Sequence, residues 1–243
     1  VRVALLSANM PHSRALLSAA APLLPRVDAA SAALAKQRAA AARVRRAQNV
    51  EDSRLLQLPD AHVLLITVDA LRADHLGTYG YARSITPQLD AIAAQGALFE
   101  HAYAQAPHSS YSLCSLLTSE YLHETTELGA APPEQTLPRV LADSGYHTAA
   151  FYTQGIFHTA AERLGVYERN TFGFALHEHQ DRPAEEMTDR VLTEIDRSLS
   201  RGEPSSLFWV HYFDVHEPYD ATTLGTSDLD RYDSELLATD AAI

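Results

Sequence analysis

The chain has 243 residues, 46% of them hydrophobic and 21% charged, with a formal net charge of -12; it is long and apolar enough to bury a core, and its acidity argues against a nucleic-acid partner. The single cysteine, Cys114, excludes an intrachain disulfide, and its apolar neighbourhood predicts an inert buried thiol. No apolar run reaches the roughly 18 residues of a membrane span.

The charge is uneven. Residues 1–59 hold nine Lys/Arg and three Asp/Glu, so a basic extension precedes an acidic domain at 60–243. Within the extension, residues 28–58 are rich in Ala, Leu, Arg and Gln and contain no Gly, which predicts a linker helix capped by Asp28 with Arg38, Arg43, Arg45 and Arg46 on a wet face. Two readings fit it: a juxtamembrane piece whose upstream anchor is missing, or a simple surface helix. Leu16 to Leu24 is too short to cross a membrane and contains Pro22.

From near Ala61 the pattern changes. Val63 to Val68 is apolar or β-branched without alternation, as suits a strand buried on both faces of a parallel sheet, and it stops on Asp69. Thr86-Pro87 reads as an N-cap followed by proline at the first helical position, with Gly96 as the stop, so a short helix is expected over 87–95. A second strand is expected over Ala97 to Ala104, a helix over Leu113 to Ser119, and another over Leu137 to Ser144 ending at Gly145. His147 to Tyr152 reads as a third strand. Met187, Val191, Ile195 and Leu199 give helical spacing to Pro183–Leu199, and Leu207 to Phe213 is a strongly apolar strand. Strands alternating with helices of this length predict an α/β fold, a mostly parallel sheet flanked by helices with right-handed crossovers.

Open α/β sheets bind ligands at the carboxyl ends of their strands, which singles out three segments. Asp69 is the first polar residue after the buried run, better placed than Asp74; a carboxylate there is either a ligand for a hard divalent cation or a loop or capping acid. In Ala106-Pro107-His108-Ser109-Ser110-Tyr111-Ser112, hydroxyls and an imidazole precede a helix, whose N-terminal N–H groups favour an anionic group and ease alkoxide formation. Ser109 is then a candidate nucleophile, with plain helix capping as the alternative. The third segment, Phe208 to Tyr219, ends a strand in Asp214 and His216. His216 can neutralise an anion or give a proton to a leaving oxygen, whereas His211, inside the strand, reads first as a satisfied core histidine. His177 and His179 share a polar stretch expected to be loop, either as a metal pair or simply solvated.

These segments, in this order, resemble the sulfatase family of the alkaline-phosphatase superfamily. The resemblance runs through Leu64 to Gly77, Thr86 to Asp90, Ala106 to Ser119, Gly145 to Ala149 and Trp209 to Tyr219. It implies an alkaline-phosphatase-like sheet, Asp69 as the metal-ligating acid, Ser109 in the place of the family's Cys, Ser or Thr nucleophile, and His216 contacting the substrate anion. His108, Ser112, His211 and Asp214 are the accompanying substrate-binding candidates. The cofactor implied is a divalent metal ion, whether Ca, Mg, Mn or Zn, and the partner an anionic ester.

Two departures matter. Tyr111 and Leu113 stand where the Cys/Ser-x-Pro-x-Arg pattern has proline and arginine, and Ala70 where many sulfatases have a second acid. An unmodified serine is therefore expected rather than formylglycine, with a lean toward membrane-anchored phosphotransferases such as lipoteichoic acid synthases and phosphoethanolamine transferases. No Asp-His-Gly occurs in the chain, although that tripeptide supplies the family's remaining metal ligands. The expectation is an incomplete catalytic domain over 60–243, truncated at its C-terminus, with weak metal binding and little turnover by itself. The implied function is hydrolysis of sulfate or phosphate esters, or phosphoryl transfer to envelope lipids or polymers, at the outer face of a bacterial envelope with possible membrane association through an upstream segment. A noncatalytic binding module that keeps the fold is the rival.

Overall fold

The apolar runs become four parallel strands, β1 (His62–Val68), β2 (His147–Tyr152), β3 (Leu176–His179) and β4 (Ser206–Tyr212), in the order β1-β4-β2-β3. The computed structural model describes residues 61–120, 135–153, 156–157 and 171–243, all within the unit Leu58–Ile243. The helix expected over 28–58 lies outside the described residues. No helix among them is long and apolar enough to cross a membrane.

Side-chain parity divides the core into two layers, as the two-residue period of a strand requires. Leu207 and Trp209 of β4 and Ala150 and Tyr152 of β2 point to one face, where they pack with Leu113, Cys114 and Leu117 of α2 (Ser109–Thr118). Phe208, Val210 and Tyr212, with Ala149 and Phe151, point to the other and meet Met187 and Val191 of α4 (Ala184–Ser200). Leu207, Phe208, Trp209 and Val210 are all at most 2% exposed, and burying each stabilises the fold by roughly 1.5–3 kcal/mol.

β4 and β2, and not β1, are therefore the strands covered on both faces and both edges. The expectation that Val63–Val68 is doubly buried is corrected: β1 is an edge strand of this sheet, and its Leu64 is 48% exposed. A continuous apolar run identifies a strand but not its place, because coverage depends on which segments pack around it.

α1 (Pro87–Gln95), α3 (Leu137–Asp143) and α4 form where periodicity and Pro/Gly punctuation put them. The cap of α1 differs. Thr86 is buried and accepts the Gly77 N–H at 3.1 Å, while the N–H groups of Gln88 and Leu89 donate to the Asp240 carboxylate at 3.0 and 2.9 Å. Asp240 belongs to α5 (Asp228–Ala242), a helix the sequence pattern hides because it buries polar residues, among them Asp233, Ser234, Thr239 and Asp240. No strand forms over Ala97–Ala104, where Phe99 and Tyr103 are 71% and 81% exposed; apolar composition without a neighbouring strand leaves the ladder unpaired. His177 and His179 lie on β3 rather than in a loop. Their rings are 5.2 Å apart, packed against Tyr152.

Candidate active site

Val63, Leu65 and Thr67 share one parity on β1, with Val63 and Leu65 packed on the α2 side of the sheet, and Asp69 is the next position in that series. Its backbone N–H still joins the ladder, donating to the Tyr212 carbonyl at 2.9 Å. The chain then turns through Ala70, which adopts φ 51°, a left-handed conformation costly for a residue with a Cβ. Tyr232 of α5 holds that turn: its hydroxyl donates to the Ala70 carbonyl at 3.0 Å and accepts from the Arg72 N–H at 2.9 Å.

α2 begins four residues earlier than its apolar pattern suggests. His108 is the N-cap, without a side-chain capping bond, and Ser109 is the first helical residue. The Ser109 hydroxyl consequently donates to Asp69 Oδ1 at 2.9 Å, beside first-turn N–H groups that have no intrahelical partner. Ser110 is turned away and buried, donating to the Ile156 carbonyl at 2.5 Å. Leu113 is buried in the core, and Tyr111 packs against that core cluster with its ring tilted 30° to that of His108 at 4.7 Å between centroids.

The other Asp69 oxygen faces β4. Asp69 Oδ2 lies 3.4 Å from His211 Nε2, beyond ordinary N–H···O length, and both atoms are buried without a hydrogen-bond partner. Burial pushes the Asp69 carboxyl up, but the His211 imidazole and the Ser109 hydroxyl together outweigh it, with charge on His211 and His216 adding, so its pKa lies below the ordinary value. Asp69 is thus a carboxylate near neutrality.

Asp69, His108, Ser109, Ser112, His211, Asp214 and His216 line one open cleft at the carboxyl edge of the sheet, together with Thr153, Arg182 and Glu235. Asp214 spends Oδ1 on the Ala184 N–H at 2.9 Å, capping α4. His216 stacks on Phe213 at 4.4 Å, and its Nδ1 donates to the Glu217 carbonyl at 2.6 Å, which orients the ring. Asp74 is not part of this cleft; it is an exposed partner of Arg72, with contacts of 2.9 and 2.6 Å.

Sequence reasoning missed the layer behind the site. Thr67 is the register partner of His211 and lies 2.8 Å from its Nδ1, while Trp209 Nε1 donates to Thr67 Oγ1 at 3.0 Å. A usable signal existed: Thr67 and His211 each interrupt an apolar strand near its carboxyl end. Asp69 Oδ2, a buried carboxylate oxygen with no hydrogen-bond partner, is the kind of atom a divalent cation takes, so Asp69 fits a metal. Among the described residues, no three His, Cys, Asp or Glu side chains form a metal-ligating cluster.

Residues 61–243 match the family model for sulfatases. Over 119 residues the chain is 32% identical to an arylsulfatase of Clostridium perfringens, a match that covers 46% of this chain and 23% of that enzyme; the matched stretch thus spans less than a quarter of that curated relative. The fold is similar to the C-terminal periplasmic domain of EptC from Escherichia coli, solved in complex with Zn, at TM-score 0.54 and 18% identity, covering 75% of this chain and 57% of that one. It is also similar to the lipoteichoic acid synthase LtaP of Listeria monocytogenes at TM-score 0.55 and 15% identity, covering 75% and 50%.

Proposed function

The chain belongs to the sulfatase family, a family of enzymes in the alkaline-phosphatase superfamily, and from that premise we propose that it carries the nucleophile half of a metal-dependent esterase acting on sulfate or phosphate esters. The observation that carries this is the 2.9 Å hydrogen bond from Ser109 Oγ to Asp69 Oδ1 at the first residue of α2.

Asp69 would hold the metal, and the ion when bound would supply Lewis-acid polarisation of the ester. Oδ1 orients the Ser109 hydroxyl by accepting its proton in a hydrogen bond, and the low Asp69 pKa keeps that acceptor ionised. Ser109 Oγ gives up its proton to Asp69 Oδ1 as it attacks sulfur or phosphorus in line, and the bond to the leaving oxygen breaks. The N–H groups of the first turn of α2 receive the charge on the transferred group. His216, held by its bond to the Glu217 carbonyl, faces the same cleft and neutralises charge or protonates the leaving oxygen. His108 and Ser112 would contact the ester's remaining oxygens, and Asp214 would shape the cleft wall through its hold on α4.

One observation favours phosphoryl transfer over sulfate hydrolysis. Leu113 is 6% exposed and Tyr111 packs on the core, so neither supplies the proline-arginine surroundings that accompany formylglycine. An unmodified Ser109 suits a phosphoryl-enzyme intermediate, and the acceptor would then be an envelope lipid or polymer. The basic residues of 1–59 support an envelope location and attraction to an anionic membrane surface.

The test uses the longest polypeptide encoded by the reading frame, assayed on 4-nitrophenyl sulfate, 4-nitrophenyl phosphate and a phosphodiester. Ser109→Ala should lower kcat/KM by at least about 10³-fold on the favoured ester, and the Ser109 peptide should keep the mass of unmodified serine. Undiminished turnover in S109A would overturn the assignment; a loss of about two hydrogens from the peptide would return the reading to sulfate hydrolysis.

A further inference from the structure

We propose that His177 and His179 form a second metal site, built from residues other than Asp69 and Ser109, that takes a divalent transition ion such as Zn²⁺ or Cu²⁺. The two histidines stand two positions apart on β3 and therefore share one face of the strand.

That face is the α2 side of the sheet. His177 is in register with Ala150 and His179 with Tyr152, and both partners belong to the core layer on that side. Tyr152 packs on both imidazoles, edge-on to His177 at 5.7 Å and stacked on His179 at 5.9 Å. Tyr152 is itself stacked on Trp209 at 5.2 Å, so the pair rests on the core. Glu178 lies between the two histidines in sequence but has the opposite parity, and Arg190 holds its carboxylate at 3.0 and 3.1 Å. The site therefore has two imidazole ligands and no carboxylate.

Spacing carries the argument. Two imidazoles on one tetrahedral ion, each with Zn–N about 2.0–2.1 Å, hold their ring centroids roughly 5 Å apart. The centroids of His177 and His179 are 5.2 Å apart, with the ring planes at 69°. The strand already sets the separation that the ion requires, so binding calls for no backbone rearrangement.

Burial and the charge of neighbouring His179 hold the His177 pKa below its ordinary value, which keeps this ligand neutral at pH 7. Two protonated rings so close repel; one ion bound by two lone pairs replaces both protons. Imidazole nitrogen suits Zn²⁺, Cu²⁺ and Ni²⁺ and is a poor donor for the hard ions Mg²⁺ and Ca²⁺. With two protein ligands, the remaining positions stay open to water or to an anionic group. β3 ends at His179, and Asp181 and Arg182 just beyond it line the cleft, so the pair lies two residues along the chain from the cleft wall.

The experiment titrates the 243-residue chain carrying Asp69→Asn, which removes the acid of the cleft, with Zn²⁺, Cu²⁺ and Mg²⁺ by calorimetry. Zn²⁺ and Cu²⁺ are expected to bind, Cu²⁺ the tighter, and Mg²⁺ not to compete. In that background His177→Asn and His179→Asn should each weaken Zn²⁺ at the tightest site by at least about tenfold, because a lone imidazole loses the gain of intramolecular closure. His101→Asn, which removes an exposed imidazole elsewhere, should change nothing. Electron paramagnetic resonance with less than one equivalent of Cu²⁺ is expected to show coupling to two imidazole nitrogens, and to one in either variant.

Circular dichroism checks each fold. His179 is exposed, so H179N decides alone if H177N misfolds; if D69N misfolds, the same variants are read by the Cu²⁺ spectrum of the otherwise wild-type chain. Zn²⁺ affinity unmoved by H177N and H179N, or moved by only one of two folded variants, would overturn the inference. Neither result bears on the proposed function, because Asp69 and Ser109 take no part in this site.

Discussion

Two histidine–aspartate pairs are buried among the described residues, and they are built on opposite plans. His75 Nδ1 meets Asp233 Oδ1 at 2.6 Å, and the second oxygen, Oδ2, accepts from the Tyr81 hydroxyl at 2.6 Å and from Arg83 at 2.8 Å. Tyr81 and Tyr232 pack on the imidazole at 4.5 and 4.8 Å. His211 and Asp69, by contrast, stand 3.4 Å apart with facing atoms that bond to nothing. A satisfied buried pair ties elements together, here α5 to the segment after β1. A buried pair left open is destabilising for the apo protein unless something enters it, and it faces the cleft that holds Ser109. Completeness of the polar shell, rather than residue type, separates clamp from candidate site.

The sharpest way to break the comparison is to remove each carboxylate. Asp233→Ala strips partners from His75, Tyr81 and Arg83 at once and should cost about 3–5 kcal/mol in urea unfolding. Asp69→Ala loses the Ser109 bond and a loose ionic contact, and should cost no more than about 1.5 kcal/mol while abolishing metal-dependent turnover. Equal losses would show that the two pairs are the same kind of structure. Tyr232→Phe probes the link between them, since this residue packs on His75 and holds the Ala70 turn next to Asp69; losing two hydrogen bonds should cost about 1–2 kcal/mol. It should also weaken metal binding, which an effect confined to the clamp would not.

The smallest effect is a pH dependence. The Asp69 pKa lies below the ordinary value of 3.8, so its ionised form is favoured in the folded state. The stability this contributes is complete above the unfolded-state pKa and is lost as pH falls through the folded-state pKa. Wild type should therefore exceed Asp69→Asn in urea midpoint by a constant margin from pH 7 to about 5, a margin that closes below about pH 4. A margin that grows on acidification would reverse the sign assigned to the His211 and Ser109 contacts.

Legibility in the sequence followed the kind of interaction. α1 and β2 were readable because proline, glycine and uninterrupted apolar runs act over a few residues. α5 was not, since its inward face carries Asp233 and Asp240, whose partners come from segments about 150 residues away, and Ser234 and Thr239, which donate back to the Asp230 and Glu235 carbonyls of the helix itself. Ala97–Ala104 misled for the converse reason, being apolar enough for a strand but given no partner. In the cleft, Asp69, Ser109 and His216 stood out as polar residues ending or opening apolar elements, whereas His211 looked like core.

By itself the sequence determined the alternation of strands and helices, the parity that divides the core into two layers, and the polar residues that collect at the carboxyl edge of the sheet. Apolar burial grows with area and is nearly indifferent to direction, so local composition suffices to read it. The tertiary structure alone decided that β4 lies at the centre and β1 at an edge, and that Thr67 sits in register with His211, 144 positions away. Hydrogen bonds and ligand pairs depend on tenths of an ångström between segments that only the completed sheet brings together.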